Sequence, residues 1–323
     1  MAKVDNKGMV HGTAGSVVYR RYRNMNIIQG KPRKFKQTTE SIRAATEFGL
    51  SSTTAAVIRQ AFQPAYVHRD GLAASRSTQL VYRGIRGSVS GSAGRRDLHD
   101  ADLSSIVGME FNINSPLKEV LQFNHQVERD EQGKIRVFMG AFDSKTDIRV
   151  PPGIRKSASK YRIRFSLIGF NFRQEYYEFL EVRDLEVQKY AQVEAQEIRF
   201  EAQPEADQLL LLSVSLLAYS ETRMEEGYVL LNSKNFSPCA LIAAYAAEEP
   251  GEYPAGPVNM ELCGAQLQRG ASFYTMCYEG NQMLRNLERR IGAESTVKKK
   301  QLDHVEDSGD LKSRQRVSFR KGG

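Results

Sequence analysis

Strand-like segments separated by turns fill the chain between residues 107 and 247. In residues 161–172, Tyr161, Ile163 and Phe165 alternate with polar side chains, which is typical of a strand with one buried and one solvated face. Many such strands with few long helices predict an antiparallel β-sandwich or barrel, so the fold class is mainly β with a helical N-terminal segment. The other predicted strands are residues 107–113, 135–142, 180–187, 197–200, 209–219, 229–232 and 240–247.

The segment before residue 66 combines a hairpin pattern with a helix pattern. Valine, isoleucine and tyrosine flank the mainly polar segment 23–26, which predicts a short hairpin over residues 15–29. A helix is predicted to begin at Thr38 or Thr39, with Glu40 near its positive end and apolar residues at helical spacing up to residue 62. Gly49 and the hydroxyl cluster at 51–54 leave open two shorter helices in its place.

Basic residues concentrate in the same N-terminal region. The formal charge of the chain is +8, and residues 1–46 alone carry ten Lys and Arg against two acidic residues, a surplus of eight. Residues 175–207 are instead rich in acids, so a basic arm is able to attract either phosphate or an acidic neighbouring subunit. The candidate partner or nucleic-acid contacts are Arg20, Arg21, Arg23, Lys31, Arg33, Lys34 and Lys36. The candidate inter-subunit packing residues are Val17, Tyr19 and Tyr22.

A chain of 323 residues exceeds a typical single domain. We predict four segments. Residues 1–66 form a basic arm of hairpin plus helix, and residues 67–104 form a helix with a Gly/Ser-rich linker. Residues 105–280 form a β-rich sandwich body of one or two subdomains, and residues 281–323 form an amphipathic helix with a basic flexible tail. Met283, Leu284, Leu287 and Ile291 are spaced for that amphipathic helix, whose partner is either the body or another subunit.

The cysteines and the apolar runs indicate the compartment. Cys239, Cys263 and Cys277 form no CxxC pair and are predicted to be reduced and buried. The N-terminus lacks the apolar core of a signal peptide, and residues 209–219 are too few to span a bilayer. We therefore expect synthesis in the cytoplasm without membrane insertion, followed by a location in a virion or another assembled particle.

The N-terminal pattern also resembles a known group of proteins. The matching residues are His11-Gly12-Thr13-Ala14-Gly15-Ser16-Val17-Val18-Tyr19-Arg20, Gly30-Lys31-Pro32-Arg33, Lys36-Gln37-Thr38-Thr39-Glu40 and Phe48-Gly49. They resemble a group of Bacteroidota and phage-associated proteins of unassigned function, over about the first sixty residues. The resemblance implies a surface, appendage or virion component with a β-sandwich-like C-terminal part, and it brings no catalytic residues.

Motifs for catalysis, metal binding and cofactor binding are missing from the sequence. The histidines His11, His68, His99, His125 and His304 stand singly and are predicted to be surface or loop residues. Asp97, His99, Asp100 and Asp102 are a possible oxygen-ligand set, but a helix start with acids in its first turn explains them as well. The sequence contains no phosphate-cradling Gly-Lys-Ser/Thr loop and no GxSxG elbow. We predict no catalytic residues, no metal and no cofactor.

The sequence thus favours a non-enzymatic structural or assembly protein that forms a homo-oligomeric particle, tail or fibre. Its expected partners are copies of itself and other particle proteins, reached through the basic arm. The alternative is a nucleic-acid-binding or packaging protein that uses the same basic arm and the basic tail on phosphates, with tyrosines of the arm stacking on unpaired bases. A hydrolase or carbohydrate-binding function is a third and weaker alternative, which convergent carboxylates in a pocket of the body would support.

Overall fold

The computed structural model describes residues 2–6, 8–22, 25–32, 37–88, 93–130, 133–222, 227–252 and 273–292. The chain divides into two compact units, Met1–Ser41 and Ile42–Gly323. Strand pairing in the described residues is antiparallel throughout, and the predicted mainly β fold class is confirmed. Of the candidate contacts, Arg23, Arg33, Lys34 and Lys36 lie outside the described residues, as do Cys263, His304 and the predicted basic tail after residue 292.

The first unit contains a four-stranded sheet in the order β1 (Lys3–Val4), β2 (Val10–Ala14), β3 (Val17–Tyr22) and β4 (Met25–Gly30). We call it the arm sheet. The predicted hairpin is confirmed as β3 paired with β4. A second hairpin joins β2 to β3 through Gly15 and Ser16, and Gly15 adopts a φ of +59° there, which glycine tolerates without steric cost in a two-residue turn.

Helix α1 runs from Thr39 to Ala61 without interruption. The hydroxyl of Thr38 accepts a hydrogen bond from the Ser41 amide at 3.2 Å, so the predicted start is confirmed. The two-helix alternative is wrong, because Ser51 and Thr53 donate back to the carbonyls of Glu47 and Leu50 within the helix. From Leu50 onward its apolar side chains belong to the core of the second unit rather than to the arm.

A six-stranded sheet forms the centre of the second unit. It has the order β13 (Tyr228–Leu230), β12 (Leu209–Glu221), β8 (Lys160–Asn171), β9 (Tyr176–Gln188) and β15 (Phe273–Thr275), and β14 (Cys239–Tyr245) also pairs with β12. The predicted apolar run at 209–219 lies in β12, where it is almost entirely buried. A central strand that is covered on both faces needs apolar side chains at most positions, which explains the nearly continuous apolar run of β12.

Each face of the central sheet packs against a different layer. Ile168 and Phe170 on one face share an apolar cluster with Ile58 and Phe62 of α1. On the other face, Phe165 shares a cluster with residues of a three-stranded sheet, which has the order β11 (Gln196–Arg199), β6 (Ile135–Met139) and β5 (His125–Arg129). The predicted alternation is confirmed from Tyr161 to Phe165, where Arg162 and Arg164 stay partly exposed on the second face. From Ile168 onward that second face is buried as well, in the cluster shared with α1.

Short elements complete the second unit. They are α2 (Gln63–Tyr66), α3 (Ala73–Gly87), α4 (Leu117–Val120), α5 (Pro152–Ser157), the 3₁₀ helices Leu98–Asp100 and Leu103–Ile106, and a two-stranded sheet of β7 (Phe142–Asp143) and β10 (Gln192–Val193). Residues 280–292 are helical, and Leu284 packs into the core with α1, so the partner of the predicted amphipathic helix is the body.

Two segments differ from the sequence-based expectation. Helix α3 extends through Gly84 and Gly87, two glycines that the sequence placed in the Gly/Ser-rich linker. At Gly84 the missing side chain lets the segment around Ser105 pack closely on the helix, since a Cβ there would lie only 2.6 Å from Ser105 Oγ. The predicted strand at 107–113 is reduced to a single bridge between Glu110 and Ala240. Strand β5 was missed because only Val127 within it is apolar, which leaves no clear alternation.

Candidate functional site

The arm sheet has one apolar face. Residues that pair directly across antiparallel strands project from the same side, as do residues two apart along a strand. The pairs Val4 with Val10, Ala14 with Val17 and Tyr19 with Ile28 therefore share a side. We define the apolar arm face as Val4, Val10, Val17, Tyr19 and Ile28. At its end, Arg21 and its partner Asn26 project from the same side.

The residues of the apolar arm face keep part or most of their surface exposed. None of the described residues in the first unit is buried. Val4 and Ile28 stay 68% and 66% exposed. A small sheet needs a hydrophobic face packed against something to be stable in water, so an exposed apolar face of this kind is characteristic of a contact surface.

The opposite side of the arm sheet carries basic and aromatic residues. Lys3 pairs with His11, and Tyr22 pairs with Met25, on the same side as Arg20. We define the mixed arm face as Lys3, His11, Arg20, Tyr22 and Met25. The apolar side chains of Val18 and Ile27 project from this side as well. Among the predicted packing residues, Val17 and Tyr19 thus lie together on the apolar arm face, whereas Tyr22 lies on the mixed arm face. Among the predicted basic contacts, Arg20, Arg21 and Lys31 are exposed, and Arg21 lies on the side opposite to Arg20.

The acidic stretch at 175–207 has many of its charges matched within the body. Asp184 on β9 binds Arg164 of β8 at 2.7 Å. Glu186 binds Lys160 at 2.9 Å and also Arg162, whose hydrogen bond lowers the pKa of that carboxyl. Because body cations already neutralise these carboxylates, they are weak acceptors for the basic residues of the arm.

The cluster of Asp97, Asp100 and Asp102 has a structural role. The Asp97 carboxylate accepts the His99 and Asp100 amides and caps the helix Leu98–Asp100, while Asp102 caps the next 3₁₀ helix, which confirms the helix-start interpretation. Arg173, in the turn between β8 and β9, donates to Asp97 at 2.9 Å and to Asp100 at 3.0 Å. A guanidinium therefore occupies the space between the two carboxylates.

His99 departs from the expectation that each histidine is a surface or loop residue, because it is only 7% exposed. Its Nε2 accepts the Phe172 amide at 3.0 Å, which places the proton of the neutral ring on Nδ1. Nδ1 is buried without a hydrogen-bond partner among the described residues. Burial lowers the pKa of His99 to about 4, so the ring stays neutral at physiological pH.

An apolar cavity of about 560 Å³ lies beside β12 and β14. Phe123, Phe165 and Val214 contribute to its lining, and Glu110, a partly buried residue, contributes a carboxyl group. Glu110 Oε1 accepts the Leu117 amide at 3.0 Å, whereas Oε2 is buried without a partner among the described residues. Burial raises the pKa of Glu110 to about 7. The sequence offered no signal for this site beyond one acid within an apolar segment.

The cavity does not assemble a pair of buried carboxylates. Glu119 also lines it but is exposed, and Glu110 is partly buried. Of the two described cysteines, Cys239 is buried as predicted, and Cys277 is exposed, contrary to the prediction.

No family model, curated protein or solved structure matches this chain. In the part of the chain that the structure describes, no helix combines the length and the apolar character needed to cross a bilayer.

Proposed function

We propose that this chain is a non-enzymatic assembly protein that forms a homo-oligomeric particle, tail or fibre, and that the arm sheet joins it to neighbouring copies. The observation that carries the proposal is the apolar arm face, which extends over all four strands while no described residue of its unit is buried. Docking this face on another subunit would supply the hydrophobic contact that the sheet lacks by itself.

The edge of the arm sheet offers a second means of contact. Strand β4 pairs only with β3 among the described strands, so the main-chain groups on its other edge are available to a further strand. Strand addition gives main-chain hydrogen bonds, and alternate side chains then give specificity. Ile28 lies on this edge strand with its side chain on the apolar arm face, which allows one subunit contact to use both features.

The resemblance of the first sixty residues to phage-associated proteins supports a virion or appendage as the particle. The charge pairing within the body changes the expected mechanism, because the stretch at 175–207 is largely satisfied by its own neighbours. Apolar packing therefore carries the proposed contact, and charge has a secondary role in steering.

Light scattering on purified protein tests this proposal. We expect the full chain, stripped of nucleic acid, to form defined oligomers, and deletion of residues 1–37 to return it to a monomer. Ile28→Asp should weaken assembly because it puts a charge on the apolar arm face, whereas Gln29→Asp, on the same strand but the other side, is the matched control. If both the deletion and Ile28→Asp left the mass unchanged, the proposal would be wrong.

Nucleic-acid binding is the second candidate, and the mixed arm face favours it. Arg20 and Tyr22 project from the same side of β3, and both are exposed. Arginine can neutralise a phosphate while a neighbouring tyrosine stacks on an unpaired base. Arg20 and Tyr22 lie opposite the apolar arm face, although Arg21 projects from the apolar arm face itself. A substitution at Ile28 and a substitution at Arg20 therefore change different faces and separate the two candidates.

A salt titration of oligonucleotide binding tests this second candidate. Alanine at Arg20, Arg21 and Arg23 together should weaken binding of single-stranded DNA and RNA, and it should reduce the salt dependence of that binding. Ile28→Asp should leave the binding unchanged. Equal binding by the triple variant and the parent chain would remove this candidate.

A further inference from the structure

A polar pocket of about 640 Å³ lies in the second unit, away from the cavity that holds Glu110. Four residues with basic side chains line it: Arg59 from α1, His68 and Arg69 from the loop after α2, and Lys234 from the loop before β14. We call it the basic pocket. These residues are separated by up to 175 positions in the sequence, so only the fold brings them together.

Arg59 is largely buried at this pocket, with 8% of its surface exposed. Its Nη1 donates to Ser77 Oγ and, at 3.5 Å, to the Ala74 carbonyl. Its Nε is buried and has no hydrogen-bond partner among the described residues. A buried donor without a partner is costly, and a ligand that accepts from it would remove that cost.

The loop that carries His68 and Arg69 is held in place on both sides. The Ser237 hydroxyl donates to the Tyr66 carbonyl and accepts the His68 amide, and Asn112 Nδ2 donates to the His68 carbonyl at 3.2 Å. Val67, which lies between Tyr66 and His68, has a φ of +52°, which is strained for a β-branched residue. Strained backbone held by its surroundings is enriched at ligand sites, where it fixes side chains in position.

The positive charge of the pocket is not balanced by its own lining. Asp70 is the acid of the described lining, and Arg76 binds both of its oxygens while the Leu72 and Ile113 amides donate to it as well. Within the described residues, neither Arg69 nor Lys234 forms an ion pair with a carboxylate. Burial and the charge of Arg69 together lower the pKa of Arg59, which shows that the two guanidinium groups oppose each other.

We propose that the basic pocket binds a phosphate group, with the Arg59 and Arg69 guanidinium groups and the Lys234 ammonium as its cationic donors. Phosphate suits this set because it carries up to two charges at neutral pH and offers several oxygens to forked guanidinium donors. The pocket volume lies in the range of small-ligand sites, so the phosphate is free or is carried by a larger molecule. This inference is independent of the arm sheet and of the proposed assembly.

Calorimetric titration with inorganic phosphate at constant ionic strength tests the inference, with acetate as the carboxylate comparison. Arg69→Ala is the decisive variant because the side chain is exposed and its loss should not disturb the core. Arg83→Ala, an exposed arginine on α3 outside the pocket, is the matched control. We expect the full chain to bind phosphate more tightly than acetate, Arg69→Ala to weaken phosphate binding by about tenfold or more, and Arg83→Ala to leave it unchanged.

Equal affinity for phosphate and acetate, or phosphate binding by Arg69→Ala equal to that of Arg83→Ala, would overturn the inference. Deletion of residues 1–37 should abolish assembly and leave phosphate binding intact, so a failure here differs from a failure of the proposed function. A competition experiment identifies the source of the phosphate. Displacement of inorganic phosphate from the full chain by a short single-stranded oligonucleotide would assign the site to polymer phosphates, and no displacement would assign it to a free phosphate.

Discussion

Arg173 and Asp97 form a buried ion pair, with Nε to Oδ2 at 2.9 Å and Nη2 to Oδ1 at 3.2 Å. Their side chains are 9% and 2% exposed. The pair joins the turn between β8 and β9 to the helix Leu98–Asp100, and Asn281 strengthens the same turn by donating to the Phe172 and Arg173 carbonyls. This turn is therefore a point where the central sheet, a 3₁₀ helix and the C-terminal helical segment are tied together.

Replacing Arg173 by methionine should destabilise the protein strongly. The substitution keeps most of the volume but leaves the Asp97 charge buried without its partner, which typically costs about 3–5 kcal/mol. Arg183→Met is the control, because Arg183 pairs with Glu181 at the surface, where a pair contributes about 1 kcal/mol or less. Urea denaturation at one fixed protein concentration measures both, and equal effects of the two substitutions would contradict the structural role given to Arg173.

Two glycines of α3 should respond in opposite directions to alanine. At Gly84 a Cβ would lie 2.6 Å from Ser105 Oγ and 2.8 Å from the Asp102 carbonyl oxygen, so Gly84→Ala should cost about 1–3 kcal/mol through overpacking. At Gly87 the nearest atom is 3.7 Å away, so Gly87→Ala should be neutral or stabilising by up to about 1 kcal/mol through higher helix propensity. Thermal unfolding of both variants checks the pair, and a stable Gly84→Ala would show that α3 packs less closely than described.

Glu110 should make the protein less stable as the pH rises. Its pKa of about 7 in the folded state lies above the ordinary 4.5, so the folded state binds more protons between these values and stability falls as the pH rises through them. Glu110→Gln removes this dependence. The free energy of unfolding of the variant relative to the parent should rise by at most about 3 kcal/mol from pH 4.5 to pH 8. A constant difference over this range would mean that the pKa of Glu110 is the same in the folded and unfolded states.

His99 should act in the opposite sense over an overlapping range. Its folded pKa of about 4 lies below the ordinary 6.5, so the unfolded state binds more protons between these values and stability falls as the pH drops through them. Nuclear magnetic resonance of the imidazole signals, with His99 assigned through His99→Gln, should give a midpoint near pH 4. A midpoint near 6.5 would show that the ring is accessible to solvent.

The two effects have a combined consequence for the parent chain. Because the Glu110 and His99 contributions change in opposite directions, they partly offset each other in acidic solution. Glu110→Gln should therefore show the His99 contribution more clearly, as a loss of stability on acidification that is steeper than in the parent chain.

Local sequence patterns determined the elements that depend on near neighbours. The alternation from Tyr161 to Phe165 predicted β8, the apolar run at 209–219 predicted β12, and Thr38 with Glu40 predicted the start of α1. Hydrophobic period, turn residues and helix caps act over a few positions, so they can be read from the chain directly. The two-residue period of a strand also predicted which residues of the arm lie on the same face, although it did not predict which strands would pair.

Tertiary structure alone decided the sites. Arg173 lies 76 positions from Asp97, and Lys234 lies 175 positions from Arg59, and no local pattern relates such residues. Burial likewise depends on what packs above a residue, which is why Glu110 and His99 were indistinguishable from surface residues in the sequence while their pKa values in the folded chain are shifted. Desolvation and charge pairing depend on which groups surround a side chain, and those neighbours are set only when the sheets and helices pack together.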